Sequence, residues 1–137
     1  MDNDRFMIVE PKNSLKILIA DDSEQVRKSL SRLLSILRGI EIIGEAVDGR
    51  QAIDKTRKLK PDILILDMKM PNGSGLDVLH EIAPDKEKLR VIMLTNYANE
   101  QFRNESLKAG ADYFFDKSTE FEKVFDVIKN RINQENQ

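Results

Sequence analysis

Cysteine is absent from this 137-residue chain, and histidine occurs only once. Without cysteine there are no disulfides and no thiolate chemistry, which accords with a reducing compartment. The single histidine, His80, has no partner motif and reads as a structural or solvated residue. Long hydrophobic runs are also missing. None nears the roughly 18 residues that a membrane span needs. The opening Met1-Asp2-Asn3-Asp4-Arg5 is acidic where a secretory signal would be basic. No charge of one sign dominates: 22 Lys and Arg against 24 Asp and Glu give a net charge of −2, without the cationic excess of a nucleic-acid-binding surface. No repeat or low-complexity segment is present. What remains is 40% apolar and 34% charged residues, enough for one domain with a real core and too short for two. The expectation is a single cytoplasmic domain.

Ile63-Leu64-Ile65-Leu66 runs straight into Asp67 and is followed by Met70-Pro71, Gly73 and Gly75. A short run that is apolar on both faces reads as a central strand of a parallel sheet. Similar runs occur at Leu15 to Ala20 and Arg90 to Thr95. Glu41 to Ala46 is more polar and suits an edge strand, and Tyr113-Phe114-Phe115 is a short fifth strand. Between them lie helical patterns. Val26, Leu30, Leu33, Leu34 and Leu37 keep one apolar stripe up to Gly39. Ala52, Ile53 and Leu59 precede Pro61, and Leu76, Val78, Leu79 and Ile82 precede Pro84. The segment from Asn99 to Ala109 has little apolar face beyond Phe102 and Leu107, so its helix is expected to be loosely held. Thr119 and Glu122 have the spacing of a capping box before a last helix with Phe121, Val124, Phe125, Ile128 and Ile132. These periodicities place Phe102, Phe121 and Phe125 in the core rather than in a ligand box. Residues 1–14 read as a flexible lead-in with a short apolar patch from Phe6 to Val9, residues 15–133 as the domain, and residues 134–137 as a polar tail. Five strands alternating with five helices imply an α/β fold, a flavodoxin-like doubly wound five-stranded parallel sheet of order 2-1-3-4-5.

Asp67 alone reads as a turn residue. Its company changes that reading. Strand one ends in Asp21-Asp22, strand four in Thr95, and strand five leads to Lys117. Parallel strands bring their C-terminal ends to one rim, so these residues should share a pocket. Three carboxylates at one rim repel each other unless a cation holds them. Carboxylates without His or Cys suit a hard ion, and a few carboxylates plus waters suit Mg²⁺ better than an all-protein Ca²⁺ cage. Mg²⁺ beside a nucleophilic carboxylate points to phosphoryl transfer through an aspartyl phosphate, with Lys117 and the Thr95 hydroxyl stabilising the phosphoryl oxygens.

The pattern Asp21-Asp22, Asp67-x-x-Met70-Pro71-x-x-x-Gly75, Thr95 and Lys117 closely resembles the receiver domain of two-component response regulators, from about Leu15 to Ile132. Residues 41–49 and 115–119 resemble receivers of the LuxR/NarL-like type, which are joined to helix-turn-helix DNA-binding domains. The resemblance implies a role for each residue. Asp67 is the phosphoacceptor for a histidine kinase or histidine phosphotransfer protein. Asp22, Asp67 and the Lys69 backbone carbonyl bind Mg²⁺ directly, with Asp21 acting largely through water. Thr95 and Tyr113 form the switch, and helix four, strand five and helix five form the output surface. Such a protein accepts a phosphoryl group and assists its own phosphorylation and dephosphorylation rather than working as an enzyme.

Three features depart from the commonest family pattern. Lys117 is followed by Ser118 rather than proline, which leaves the isomer of that peptide open. Asn96 replaces a usually small residue. Lys69 and Tyr97 stand where receivers tune the hydrolytic water, so Lys69, Asn96 and Tyr97 are expected to set the lifetime of the aspartyl phosphate. An aspartyl-phosphate phosphatase would need an acid two residues after the nucleophile, where this chain has Lys69. A flavin or nucleotide binder would meet repulsion from Asp21-Asp22. The cationic face of Lys55, Arg57, Lys58 and Lys60 reads as solvated. The expectation is a stand-alone receiver that signals to an unknown downstream protein, with a phosphorylation-dependent dimer as a further expectation and no nucleic-acid or membrane contact. The alternative is the receiver part of a DNA-binding regulator.

Overall fold

Short aliphatic runs alternating with amphipathic helices build one parallel sheet covered on both faces. The computed structural model describes residues 14–135. Strands β1 (Leu15–Ala20), β2 (Ile40–Ala46), β3 (Ile63–Leu66), β4 (Arg90–Thr95) and β5 (Tyr113–Asp116) pair in the order β2-β1-β3-β4-β5, every pair parallel. Helices α1 (Glu24–Leu34), α2 (Gly49–Leu59), α3 (Gly75–Ile82), α4 (Glu100–Lys108) and α5 (Lys123–Glu135) alternate with them. The flavodoxin-like order expected from the sequence is present, with the polar β2 and the short β5 at the edges.

The sheet has a core on each side. Leu18, Leu64, Leu66 and Met93 point one way and pack against Val78 and Leu79 of α3. Ile17, Ile19, Ile65 and Ile92 point the other way, against Leu30 of α1 and Ile128 of α5. Alternate residues of a strand face opposite sides, so a strand covered on both sides must be apolar throughout. That is why β3 reads as an unbroken run. Each side chain buried here contributes about 1.5–3 kcal/mol. α4 is the exception. Its only buried residue is Ser106, Leu107 is 39% exposed, and Phe102 is partly buried against the first core.

Two local expectations are corrected. α1 stops at Leu34 rather than at Gly39. There the Ser35 hydroxyl donates to the Arg32 carbonyl and the Leu37 N–H to the Leu34 carbonyl, tightening the chain into a turn that still places Leu37 against the core. The capping box of Thr119 and Glu122 does not form, because α5 begins only at Lys123. The loop is closed instead by Asp116 and Glu120. The Asp116 N–H donates to Glu120 Oε1 at 3.0 Å, and the Glu120 N–H donates to the Asp116 carbonyl at 2.7 Å. No cis peptide occurs among the described residues, so Lys117–Ser118 is trans. The lead-in through Asn13, including the patch at Phe6, lies outside the described residues. Among those described, no helix is long and apolar enough to cross a membrane.

Candidate functional site

The site lies at the C-terminal rim of the sheet, where β1 and its neighbour β3 continue into helices on opposite faces. Such a switch point opens a crevice between two departing connections. β3 hands its chain to Asp67, which is 5% exposed, and β1 hands its chain to Asp21, which is 3% exposed. The two ends are locked together by the Asp67 N–H, which donates to the Ala20 carbonyl at 3.0 Å. The chain then turns back tightly. The Gly75 N–H donates to the Met68 carbonyl at 2.7 Å, and a methyl group on Gly75 would sit 2.4 Å from the Asp67 carbonyl oxygen. Glycine eight residues after the acid is thus a packing requirement of α3 against the Asp67 backbone.

Asp21, Asp22 and Asp67 each offer a carboxylate oxygen within 4.8 Å of the others. Asp22 is exposed, unlike the other two. The Lys117 ammonium reaches between the buried pair, 2.6 Å from Asp21 Oδ2 and 3.2 Å from Asp67 Oδ2. Asp67 Oδ1 accepts the Met68 N–H at 2.8 Å. Burial pushes the Asp67 carboxyl above the ordinary carboxylate range, the Asp21 charge adds to the rise, and Lys117 opposes it. Burial works against the Lys117 ammonium, but the hydrogen bond to Asp21 and the charges of Asp67 and Asp21 outweigh it and hold the Lys117 pKa above its usual value. One cation among three acids leaves two negative charges to be met. Clustered hard oxygen donors with no His or Cys suit a divalent ion of the Mg²⁺ type.

The other rim residues fall into two groups. Thr95, fully buried at the end of β4, accepts the Tyr97 N–H on its Oγ1 at 3.0 Å, and its carbonyl accepts the Lys117 N–H at 2.9 Å. Asn96 is exposed and lines a cleft of about 350 Å³ with Lys117, Gln25, Val26 and Phe121. Lys69 lies in the loop after β3, and its ammonium sits 4.5 Å from the centroid of the Tyr97 ring. Tyr113 is not at this rim. It pairs with Ile92 at the start of β5, whereas Thr95 pairs with Asp116. Tyr113 is 40% exposed, and its ring stacks on that of Phe115 with centroids 5.9 Å apart. The solvated reading of the α2 cations holds in part: Arg57 reaches Glu81 at 3.3 Å, and Lys55 donates to the Glu45 carbonyl. Sequence reasoning passed over Arg27. Its Nη1 donates to the Asp21 carbonyl at 2.7 Å and its Nε to Glu45 Oε1 at 2.6 Å. The available signal was its place four residues after the N-cap Ser23, on the turn of α1 nearest the acid pair.

Comparison with known proteins gives the family and the fold. The family model for the response regulator receiver domain matches residues 17–129. The chain is 31% identical over 121 residues to the response regulator protein VraR of Staphylococcus saprophyticus, covering 88% of this chain and 58% of that protein. Among solved structures, the CheX–CheY–BeF3–Mg complex of Borrelia burgdorferi matches with 31% identity and a TM-score of 0.73, over 83% of this chain and 89% of the other. A LuxR-family DNA-binding response regulator from Staphylococcus aureus matches with 25% identity and a TM-score of 0.78, over 87% and 98%.

Proposed function

The chain belongs to the response regulator receiver domain family of two-component signalling, and from that premise we propose that Asp67 accepts a phosphoryl group from a phosphohistidine. The observation that carries the proposal is the position of Asp67, buried at the rim with Lys117 at 3.2 Å and two further carboxylates converging on it. An Asp67 carboxylate oxygen attacks phosphorus, the P–N bond breaks, its electron pair leaves on the donor's imidazole, which takes a proton from solvent, and an acyl phosphate remains. Lys117 and the Thr95 hydroxyl face the charge that develops on the phosphoryl oxygens. Asp21, Asp22, Asp67 and the backbone carbonyl of Lys69 would hold Mg²⁺. When bound, that ion neutralises charge on the attacking acid and the incoming phosphoryl group. The similarity to a CheY found with BeF3 and Mg supports that choice of ion.

Donors on this reading are a histidine kinase or a histidine phosphotransfer protein. Output runs through the face built from α4, β5 and α5, where Tyr113 and Leu107 are exposed and α4 is held by few apolar contacts. Thr95 and Tyr113 act as the switch, and Lys69, Asn96 and Tyr97 set the lifetime of the acyl phosphate. The chain spans about 58% of the length of the VraR protein it matches, and the LuxR-family similarity favours a second reading, in which this receiver controls a DNA-binding domain.

Intact mass after incubation with acetyl phosphate and Mg²⁺ tests the proposal. One phosphoryl adduct is expected, lost with EDTA and lost in Asp67→Asn. An adduct that survives Asp67→Asn would overturn the choice of phosphoacceptor.

A further inference from the structure

Asp21 is held at every polar point. Its N–H donates to the Ala46 carbonyl at 3.0 Å and its Oδ1 accepts the Ser23 N–H at 2.8 Å. Its Oδ2 meets Lys117 at 2.6 Å, and its carbonyl accepts Arg27 Nη1 at 2.7 Å. Asp22 is the opposite case. It is exposed, and among the described residues its carboxylate has no hydrogen-bond or ion-pair partner. The direction of the Asp22 side chain therefore depends on the backbone that carries it. The peptide plane entering Asp22 contains the carbonyl that Arg27 holds.

We propose that Arg27, paired with Glu45, is the positioning residue of the divalent-cation site: by clamping the Asp21 carbonyl it aims the Asp22 carboxylate at the point where Asp21 and Asp67 converge. The inference rests on the reading of that cluster as a Mg²⁺ site. Arg27 suits the task because its side chain is only 12% exposed and its fork bonds in two directions at once, Nε to Glu45 and Nη1 to Asp21. A lysine has one nitrogen and cannot bridge both acceptors in a fixed plane. Glu45 at 2.6 Å also neutralises the guanidinium. Without that counter-charge, a cation beside three carboxylates would oppose a second cation. β2 is thereby tied to the metal cluster, although none of its side chains belongs to the cluster.

Charge and geometry make opposite forecasts, which makes the proposal testable. If Arg27 acted only through its charge, Arg27→Gln would tighten Mg²⁺ binding. A positioning role requires the reverse: about a 10-fold loss of affinity, the lower end for removing a group that orients a metal ligand. The measurement is calorimetric Mg²⁺ titration of the metal-free chain, alongside the Asp22 amide resonance and thermal unfolding in EDTA. Arg27→Lys keeps the charge and should also lose affinity, which separates the fork from the charge. Should the Arg27 variants fail to fold, the half-exposed Glu45 decides. Glu45→Gln keeps an acceptor oxygen for Arg27 Nε and should hold wild-type affinity, while Glu45→Ala loses several-fold. An equal loss in both would mark a charge effect and overturn the positioning role. Wild-type binding with unchanged or tighter binding in the folded Arg27 variants, or in Glu45→Ala where they do not fold, would overturn this inference alone. A wild-type chain that does not bind Mg²⁺ would overturn the cation site itself and this inference with it.

Discussion

The Lys69 ammonium lies 4.5 Å from the centroid of the Tyr97 ring, so the loop after β3 is strapped to the loop after β4 beside Asp67. A cation over a ring at an exposed site contributes about 0.5–1 kcal/mol. The Tyr97 N–H also holds Thr95 Oγ1. Opening the strap should admit water to the acyl phosphate. In Tyr97→Ala, and equally in Lys69→Ala, the adduct on Asp67 should decay roughly two- to fivefold faster, the rate equivalent of that energy. Loss of adduct is followed by intact mass after removal of donor. Decay at the wild-type rate would remove Tyr97 from the control of lifetime.

Asp67→Asn should stabilise the metal-free protein near neutral pH. The folded state raises the Asp67 pKa through burial and the neighbouring Asp21. An acid raised on folding loses its proton more readily when unfolded, so its contribution to stability falls as pH rises from the unfolded value through the folded one. The neutral amide escapes that loss and keeps a polar group beside Lys117. Thermal unfolding in EDTA at pH 7 should give a higher midpoint for the variant, with the gap closing toward acid. A lower midpoint at pH 7 would mean that the ion pair with Lys117 outweighs burial.

Ser74→Ala should cost about 1 kcal/mol, the usual magnitude for a lost N-cap. Ser74 and Asp77 form a capping box at the start of α3, with the Asp77 N–H donating to Ser74 Oγ at 3.1 Å and the Ser74 N–H to Asp77 Oδ2 at 2.9 Å. That second bond holds the Asp77 carboxyl below its ordinary value. The stabilisation it brings is present above the unfolded pKa and is lost as pH falls through the folded one. The difference in urea midpoint between wild type and Asp77→Asn should therefore be present at pH 6 and shrink below the unfolded Asp value. A difference independent of pH would assign the effect to helix propensity instead.

Ser106→Ala should leave the fold intact and raise stability by about 1 kcal/mol. Ser106 is the one buried residue of α4, and among the described residues its hydroxyl has no hydrogen-bond partner. Burying an unsatisfied hydroxyl costs about 1–3 kcal/mol, and alanine fills most of the same space with a better helix former. The test reads hydrogen exchange across α4 as well as global unfolding. Slower exchange confined to α4 is expected, and a destabilised helix would imply an unlooked-for role for the hydroxyl. A tighter α4 should also respond less to phosphorylation, because switching elements come from the least stable part of a fold.

The sheet could be read in advance because period and composition act locally. Leu64 and Ile65 face opposite cores, so both must be apolar, and β3 stands out as a run with Asp67 at its end. The polar β2 could be assigned to an edge for the same reason. Helix ends were less legible. The spacing of Leu37 suited α1, and Thr119 with Glu122 suited a cap, yet hydrogen bonds from Ser35 to the Arg32 carbonyl and between Asp116 and Glu120 set both boundaries. Competing side-chain bonds of similar strength leave no periodicity to detect.

For the site, the sequence by itself determined which chemistry was on offer: four strand ends carrying Asp21 with Asp22, Asp67, Thr95 and Lys117, brought to one rim by the shared direction of parallel strands. Only the tertiary structure decided how those groups divide the work. Lys117 lies closer to Asp21 than to Asp67, Asp22 stands exposed and unpartnered among the described residues, Tyr113 lies outward, and Lys69 meets Tyr97. Arg27 belongs to that second group. Its link to Asp21 and Glu45 joins residues six and eighteen positions apart, and contacts between elements depend on packing across β1 and β2, which no local pattern records.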